Sequence, residues 1–277
     1  MPLHHDAPLS SRRRLLKAGG LGVAALGLGG MGRLFAQAGG SGLVHPGYGP
    51  LAPVRDLATG LPLLQLPDGF SYTSFGWARE PLDRDVPTPG AHDGMGVVAV
   101  EGDVVTLVRN HEVVAGWGSF APAAASYDPR CGGGTATLRF DTRAGRFLGG
   151  HASLGGTVQN CAGGVTPWGT WLSAEEFVSA AGEVQLAGIS HDLARDHGFV
   201  FEVPARGLAS AEPILAMGQF EHEAVAVDPA TGAFYLTEDQ EPEAGFYRML
   251  PNVPGEPLRG GRLQMLRVPG VPDLRTG

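Results

Sequence analysis

Three stretches of this chain share one layout, in which two apolar runs around a glycine-bearing turn are bracketed at both ends by residues of metal-binding type. They run from His92 and Asp93 to Asn110, His111 and Glu112, from Asn160 and Cys161 to Glu175 and Glu176, and from Glu221, His222 and Glu223 to Glu238 and Asp239. The turns are Glu101-Gly102-Asp103, Pro167-Trp168-Gly169 and Asp228-Pro229-Ala230-Thr231-Gly232, which signal hairpins when flanked by apolar strands. A hairpin returns its last residue to its first, so each unit delivers its polar ends to one place. A single cluster of this kind reads as solvated loop charge, because Asp and Glu sit mostly at surfaces. Recurrence at the same point of three units points instead to a shared metal site. Its candidate ligands are Asp93, Asn110, Glu112, Cys161, Glu175, Glu176, Glu223, Glu238 and Asp239.

The rest of the chain predicts an all-β fold. Its 44 glycines and 22 prolines punctuate short strand-like runs such as Val97-Val98-Ala99-Val100, Thr137-Leu138-Arg139-Phe140 and Phe199-Val200-Phe201-Glu202-Val203, and no segment after residue 38 keeps a long helical period. Plainer hairpins follow the bracketed ones, over Thr135 to Leu154 and His197 to Gln219, and residues 245 to 268 resemble a third. An inner and an outer hairpin make four strands. With Asp93, Cys161 and Glu223 as equivalent starts, the periods are 68 and 62 residues, which suits four-stranded blades with long loops. The expectation is a β-propeller whose inner hairpins point their ends at the channel. Only about three blades are visible where propellers close with roughly four to eight, so the propeller is expected to be incomplete, truncated at the C-terminus.

Ser11-Arg12-Arg13-Arg14-Leu15-Leu16-Lys17, the apolar stretch Ala18 to Gly30 and Ala36-Gln37-Ala38 read as a twin-arginine export signal with an A-x-A cleavage site. Residues 1–38 are therefore assigned to the signal and 39–277 to the β domain, with the periplasm or the exterior as destination and the twin-arginine translocation machinery as a transient partner. The apolar stretch holds 13 residues, short of the roughly 20 a spanning helix needs, so no stable membrane anchor is expected. Cleavage removes five of 20 basic residues and one of 28 acidic ones, leaving 15 and 27 and a formal charge of −12 in place of −8. That balance argues against nucleic acid as a partner and favours cations or simple solubility. The two cysteines, Cys131 and Cys161, are open to two readings: a disulfide, the default outside the cytoplasm, or a Cys161 thiolate joining Glu175 and Glu176 on a metal.

The motifs Gly47-Tyr48-Gly49-Pro50-Leu51, Leu66-Pro67-Asp68-Gly69-Phe70, His92-Asp93-Gly94-Met95, Arg109-Asn110-His111-Glu112, Asn160-Cys161-Ala162-Gly163-Gly164, Thr166-Pro167-Trp168-Gly169-Thr170-Trp171, Phe220 to Pro229 and Thr237-Glu238-Asp239 resemble those of the PhoX-type alkaline phosphatases. They span most of the chain after residue 38, in order, and coincide with the hairpin brackets. The resemblance implies twin-arginine export, a β-propeller, and hydrolysis of phosphate monoesters by iron and calcium held in the channel. It implies that Cys161 is an Fe3+-binding thiolate, and that Glu175 or Glu176, Glu223 and Asp239 are carboxylate ligands to iron or Ca2+. Arg109 is the candidate contact to a substrate phosphate, with pairing to Glu112 as its alternative. Ala174 departs from the family, where a second cysteine often precedes the paired glutamates. Family members are usually much longer, and their C-terminal half also contributes to the site. The competing readings are an exported metal-binding propeller without hydrolytic activity, and a calcium-dependent propeller hydrolase in which Cys161 is dispensable.

Overall fold

Each bracketed stretch folds as an antiparallel hairpin whose polar ends meet in the computed structural model, which describes residues 47–83, 86–114, 118–186 and 188–271. The segment read as an export signal lies outside these residues. β-strands dominate, and among the described residues the only helical pieces are single 3-10 turns. The chain divides into two units, Met1–Tyr72 and Thr73–Gly277. The described part of the first contains β1 (Ala52–Val54) paired with β2 (Leu64–Leu66). Its connecting loop is held by Asp56, whose carboxylate accepts from the Thr59 amide at 3.1 Å and the Thr59 hydroxyl at 2.6 Å.

The second unit begins with the short pair β3 (Pro81–Asp83) and β4 (Val86–Pro87). β5 (His92–Glu101), β6 (Val104–His111), β7 (Gly133–Asp141) and β8 (Arg146–Thr157) then form a four-stranded meander. β9 (Asn160–Val165) and β10 (Thr170–Glu175) pair with each other, and β13 (Val200–Pro204) adds to the free side of β10. Between them β11 (Gly182–Leu186) and β12 (Ile189–Leu193) make a separate hairpin. β14 (His222–Val227), β15 (Phe234–Glu238), β16 (Phe246–Pro251) and β17 (Gly261–Met265) complete a second four-stranded meander.

The bracketing residues pair across the open ends: His92 with His111, Asn160 with Glu175, and His222 with Glu238. In all three hairpins the register shifts close to that end, between His92 and Met95, Ser173 and Glu175, and His222 and Ala224. A bulge re-aims the side chains beside it, so the polar ends are turned away from the strict alternation of the strands. The expected plain hairpin over His197 to Gln219 forms in only one arm. β13 is a strand, but the return makes a single bridge, Phe201 to Pro213, before the 3-10 turn Leu215–Met217. Pro204 and Pro213 have no N–H to continue a ladder.

Two apolar cores lie between the sheets. One joins Val98, Val108 and Leu154 of the first meander to Trp171, Phe201 and Val203 of the central sheet. The other joins Leu172, Ala174 and Val200 to Val225, Phe234, Leu236 and Met249 of the second meander. The central sheet is thus covered on both faces, and burial of side chains such as Phe234 and Leu236 supplies roughly 1.5–3 kcal/mol each.

Candidate metal centre

Cys161 stands near the start of β9, Glu176 directly after β10, and Glu223 near the start of β14. One ligand atom from each lies within 4.8 Å of the other two, and Cys161 Sγ is 3.6 Å from Glu223 Oε1. Cys161 and Glu176 are buried and Glu223 half-buried. The loop residue Gln159 fixes Glu176, since its carbonyl accepts from the Glu176 amide at 2.9 Å and its Nε2 donates to Oε2 at 3.3 Å. One thiol beside two carboxylates is a donor set for a cation of intermediate softness, with the hard oxygens also able to serve calcium.

This convergence depends on how closely three sheets approach around β9. A Cβ on Gly94 of β5 would lie 2.7 Å from Ala162 Cα, and a Cβ on Gly164 would fall inside the Val225 carbonyl of β14. β9 is therefore wedged between two backbones, with a glycine on one side of each close contact. Asn110 locks it there. Its Nδ2 donates to the carbonyls of Cys161 (3.2 Å) and Ala162 (2.7 Å), while its Oδ1 accepts from Trp171 Nε1 and Ser173 Oγ, both at 2.9 Å. Asn110 thus touches the backbone of Cys161 with its amide. Asn110→Ala should lower unfolding free energy by about 2 kcal/mol, because it strands buried donors and acceptors, and urea denaturation will read the loss. A change below 0.5 kcal/mol would contradict this role.

The other residues singled out from the sequence occupy different places. Glu175 is fully buried and turned toward His197, whose Nδ1 lies 2.7 Å from Oε1. It also accepts from the amides of Val158 (2.9 Å), Gly198 (2.8 Å) and Phe199 (3.0 Å). Glu238 Oε2 accepts from the Gly245 amide at 2.6 Å and the Tyr247 hydroxyl at 2.9 Å, and burial, with this carboxylate, pushes the phenol up to about 12. The Asp239 amide donates to Glu221 O at 3.0 Å, tying the two ends of that hairpin. Asp93 is exposed at the start of β5, and half-buried Glu112 lines a cleft of about 500 Å³ with Pro89, Val113 and Phe120. Arg109, buried, donates from Nη2 to Gly76 O at 3.0 Å. It alternates with Asn110 along β6, so it is directed to the opposite face of the strand from Cys161. Cys131 and Cys161 form no disulfide.

His111 shares that opposite face. Its Nδ1 lies 2.9 Å from Gly90 O, and its ring meets Phe120 edge-on. Burial, against the Gly90 hydrogen bond, pushes its pKa down to about 3 from 6.5. A depressed folded value means that the stability conferred by neutral His111 is complete above pH 6.5 and is lost as pH falls toward 3, because the unfolded chain takes the proton first. Between pH 6 and 4 this residue should account for about 1.4 kcal/mol of lost stability per pH unit. Guanidinium titrations of wild type and His111→Asn at pH 7, 6, 5 and 4 will measure it. Equal slopes for the two proteins would rule the assignment out.

The cluster that sequence reasoning missed holds Asp128, Cys131 and His197, all buried and with one ligand atom each within 4.8 Å of the others. Asp128 and Cys131 are three residues apart, but His197 is distant in sequence and sits in none of the repeated brackets.

This all-β chain brings a buried thiol and two carboxylates together from three strand ends, a donor set of a kind that could hold a metal ion. The family model of the alkaline phosphatase PhoX matches residues 46–148 and 132–276, and the chain belongs to that family. No curated protein and no solved structure matches it. Among the described residues, no helix is long and apolar enough to cross a membrane.

Proposed function

We propose that the chain is an exported phosphomonoester hydrolase of the alkaline-phosphatase type whose metal centre is built on Cys161, Glu176 and Glu223. The observation that carries the reading is the convergence of these three residues within 4.8 Å from separate β-elements, with Cys161 and Glu223 lying in motifs that carry the family resemblance. The donor set fits the implied metals: a thiolate with carboxylate oxygens suits ferric iron, and the same oxygens suit calcium. Asp93, Glu112, Glu238 and Asp239, at the open ends of the other two inner strand pairs, are the proposed oxygen donors for further calcium. When bound, the cations would hold phosphate oxygens and offset charge on the leaving oxygen.

The chain's own part is to hold and orient. Cys161 would hold the cation as a thiolate, its thiol proton given up to solvent. Gln159 aims Glu176, Asn110 fixes the carbonyls beside Cys161, and burial of Cys161 and Glu176 shields them from water. Two sequential four-stranded sheets flanking a central one, with apolar cores between, support the β-propeller reading and three blades in this chain. The acidic balance of residues 39–277 suits cations, and the twin-arginine motif supports export to the periplasm or beyond.

The test is metal analysis of protein recovered from its export route, together with hydrolysis of p-nitrophenyl phosphate with and without calcium, for wild type and Cys161→Ser. Iron and calcium in the wild type, calcium-dependent turnover, and loss of iron and turnover in the variant are expected. Turnover that survives Cys161→Ser would sink the thiolate assignment, and a chain that loads metal without hydrolysing the ester would be a binding protein.

A further inference from the structure

We propose that Asp128, Cys131 and His197 form a second metal site, separate from the Cys161 centre, that takes a single divalent cation of borderline softness such as zinc and fastens two loops of the fold. His197 Nε2 lies 3.6 Å from Cys131 Sγ and 3.6 Å from Asp128 Oδ2. A close N–H to carboxylate hydrogen bond would be about 2.9 Å, so His197 and Asp128 form only a loose ion pair. Two ligands of one tetrahedral zinc ion, at about 2.3 Å for sulfur and about 2.0 Å for nitrogen, stand roughly 3.5 Å from each other. The two spacings from His197 Nε2 match those of ligands sharing an ion, and the Cys131 one is also that of a sulfur hydrogen bond.

The surroundings are those of a built site. The side chains of Asp128 and His197 are wholly inaccessible, as is Cys131. His197 Nδ1 is 2.7 Å from Glu175 Oε1, an arrangement in which a carboxylate fixes the ring and leaves Nε2 to face a metal. Asp128 is itself oriented, by the Arg130 amide on Oδ1 (2.9 Å) and the Ala194 amide on Oδ2 (2.6 Å). Without a cation the pocket holds two carboxylates, Asp128 and Glu175, around one imidazole and one thiol. Burial opposes charge on His197, but Glu175 and Asp128 outweigh it and raise its pKa, while burial raises that of Cys131. A divalent ion would replace one proton on each and leave the total charge of the pocket unchanged.

The consequence is mechanical. Asp128 and Cys131 belong to the segment before β7, and His197 follows the β11–β12 hairpin, so the ion would clip that hairpin's return to the first meander. Arg130 already reaches the same hairpin, donating from Nη1 to the carboxylate and carbonyl of Asp192 in β12. Nothing in the proposed hydrolytic reading uses Cys131, so the two assignments fail separately.

Cobalt(II) is the probe, because a tetrahedral cobalt–thiolate site absorbs in the near ultraviolet and intensely in the visible. Chelator-stripped Cys161→Ser, which retains Cys131 as its only thiol, should bind one equivalent with both bands, and Cys131→Ser/Cys161→Ser should lose them. Absence of a thiolate band from folded Cys161→Ser overturns the proposal. If Cys161→Ser does not fold, wild type is alkylated in mild urea with and without zinc, and the labelled peptides are separated by mass. At least tenfold slower labelling of Cys131 with zinc supports the site, and an unchanged rate overturns it.

Discussion

Gly164→Ala is expected to cost about 3–5 kcal/mol and to weaken metal binding at the proposed Cys161 centre. The added methyl would fall inside the Val225 carbonyl, and a backbone group cannot rotate out of the way as a side-chain tip can. The strain is relieved only if β9 and β14 move apart. That movement opens the core around Val225 and carries Cys161 away from Glu223. Overpacking a dense core usually costs 1–3 kcal/mol, and the rigid neighbour here places the change at the severe end of point mutations. Gly90→Ala is the matched control, since nothing lies within 4 Å of its added methyl, and it should stay within about 0.5 kcal/mol of wild type. Denaturant titration and metal analysis of the two variants decide the matter. If Gly164→Ala unfolds within 1 kcal/mol of wild type with its metal intact, β9 is not wedged as described.

The second large effect separates two neighbouring glutamates. Glu175→Ala removes the acceptor of three buried amides and the partner of His197 at once, and should cost about 3–5 kcal/mol, the range for breaking a buried ion pair from one side. Glu176→Gln should change unfolding free energy by less than about 1 kcal/mol, because the amide keeps an oxygen near Gln159, yet it should lose metal from the Cys161 centre. Urea titration of metal-free protein, run beside metal analysis, reads the two quantities independently. Identical behaviour of the two variants would remove the division of roles between them.

The hairpins were legible because their signals are local. Alternating apolar residues and glycines that accept positive φ, such as Gly102, Gly169 and Gly232, fix strand pairs and turns without reference to the rest of the chain. The convergence of Cys161 with Glu223 was also signalled, by the equal placing of both at hairpin ends. Which of Glu175 and Glu176 joins them was not, since the answer lies in a register shift that no composition rule reports. Arg109 is directed by the pleat of β6, and its alternation with Asn110 would have told that the two face opposite ways. His197 was hidden for a different reason. Its partners come from two other segments, Asp128 and Cys131 from the one before β7 and Glu175 from the end of β10, and contacts of that kind arise only once the sheets have stacked.

The adjacent glutamates after Ser173 and Ala174 carry a warning for anyone comparing relatives of this chain. A one-residue misplacement at this point can still pair glutamate with glutamate. It nevertheless exchanges a residue that holds His197 inside the fold for one that faces Cys161. Homologues that keep a single glutamate here should therefore be placed by their equivalents of His197 and Gln159, not by the acidic column itself.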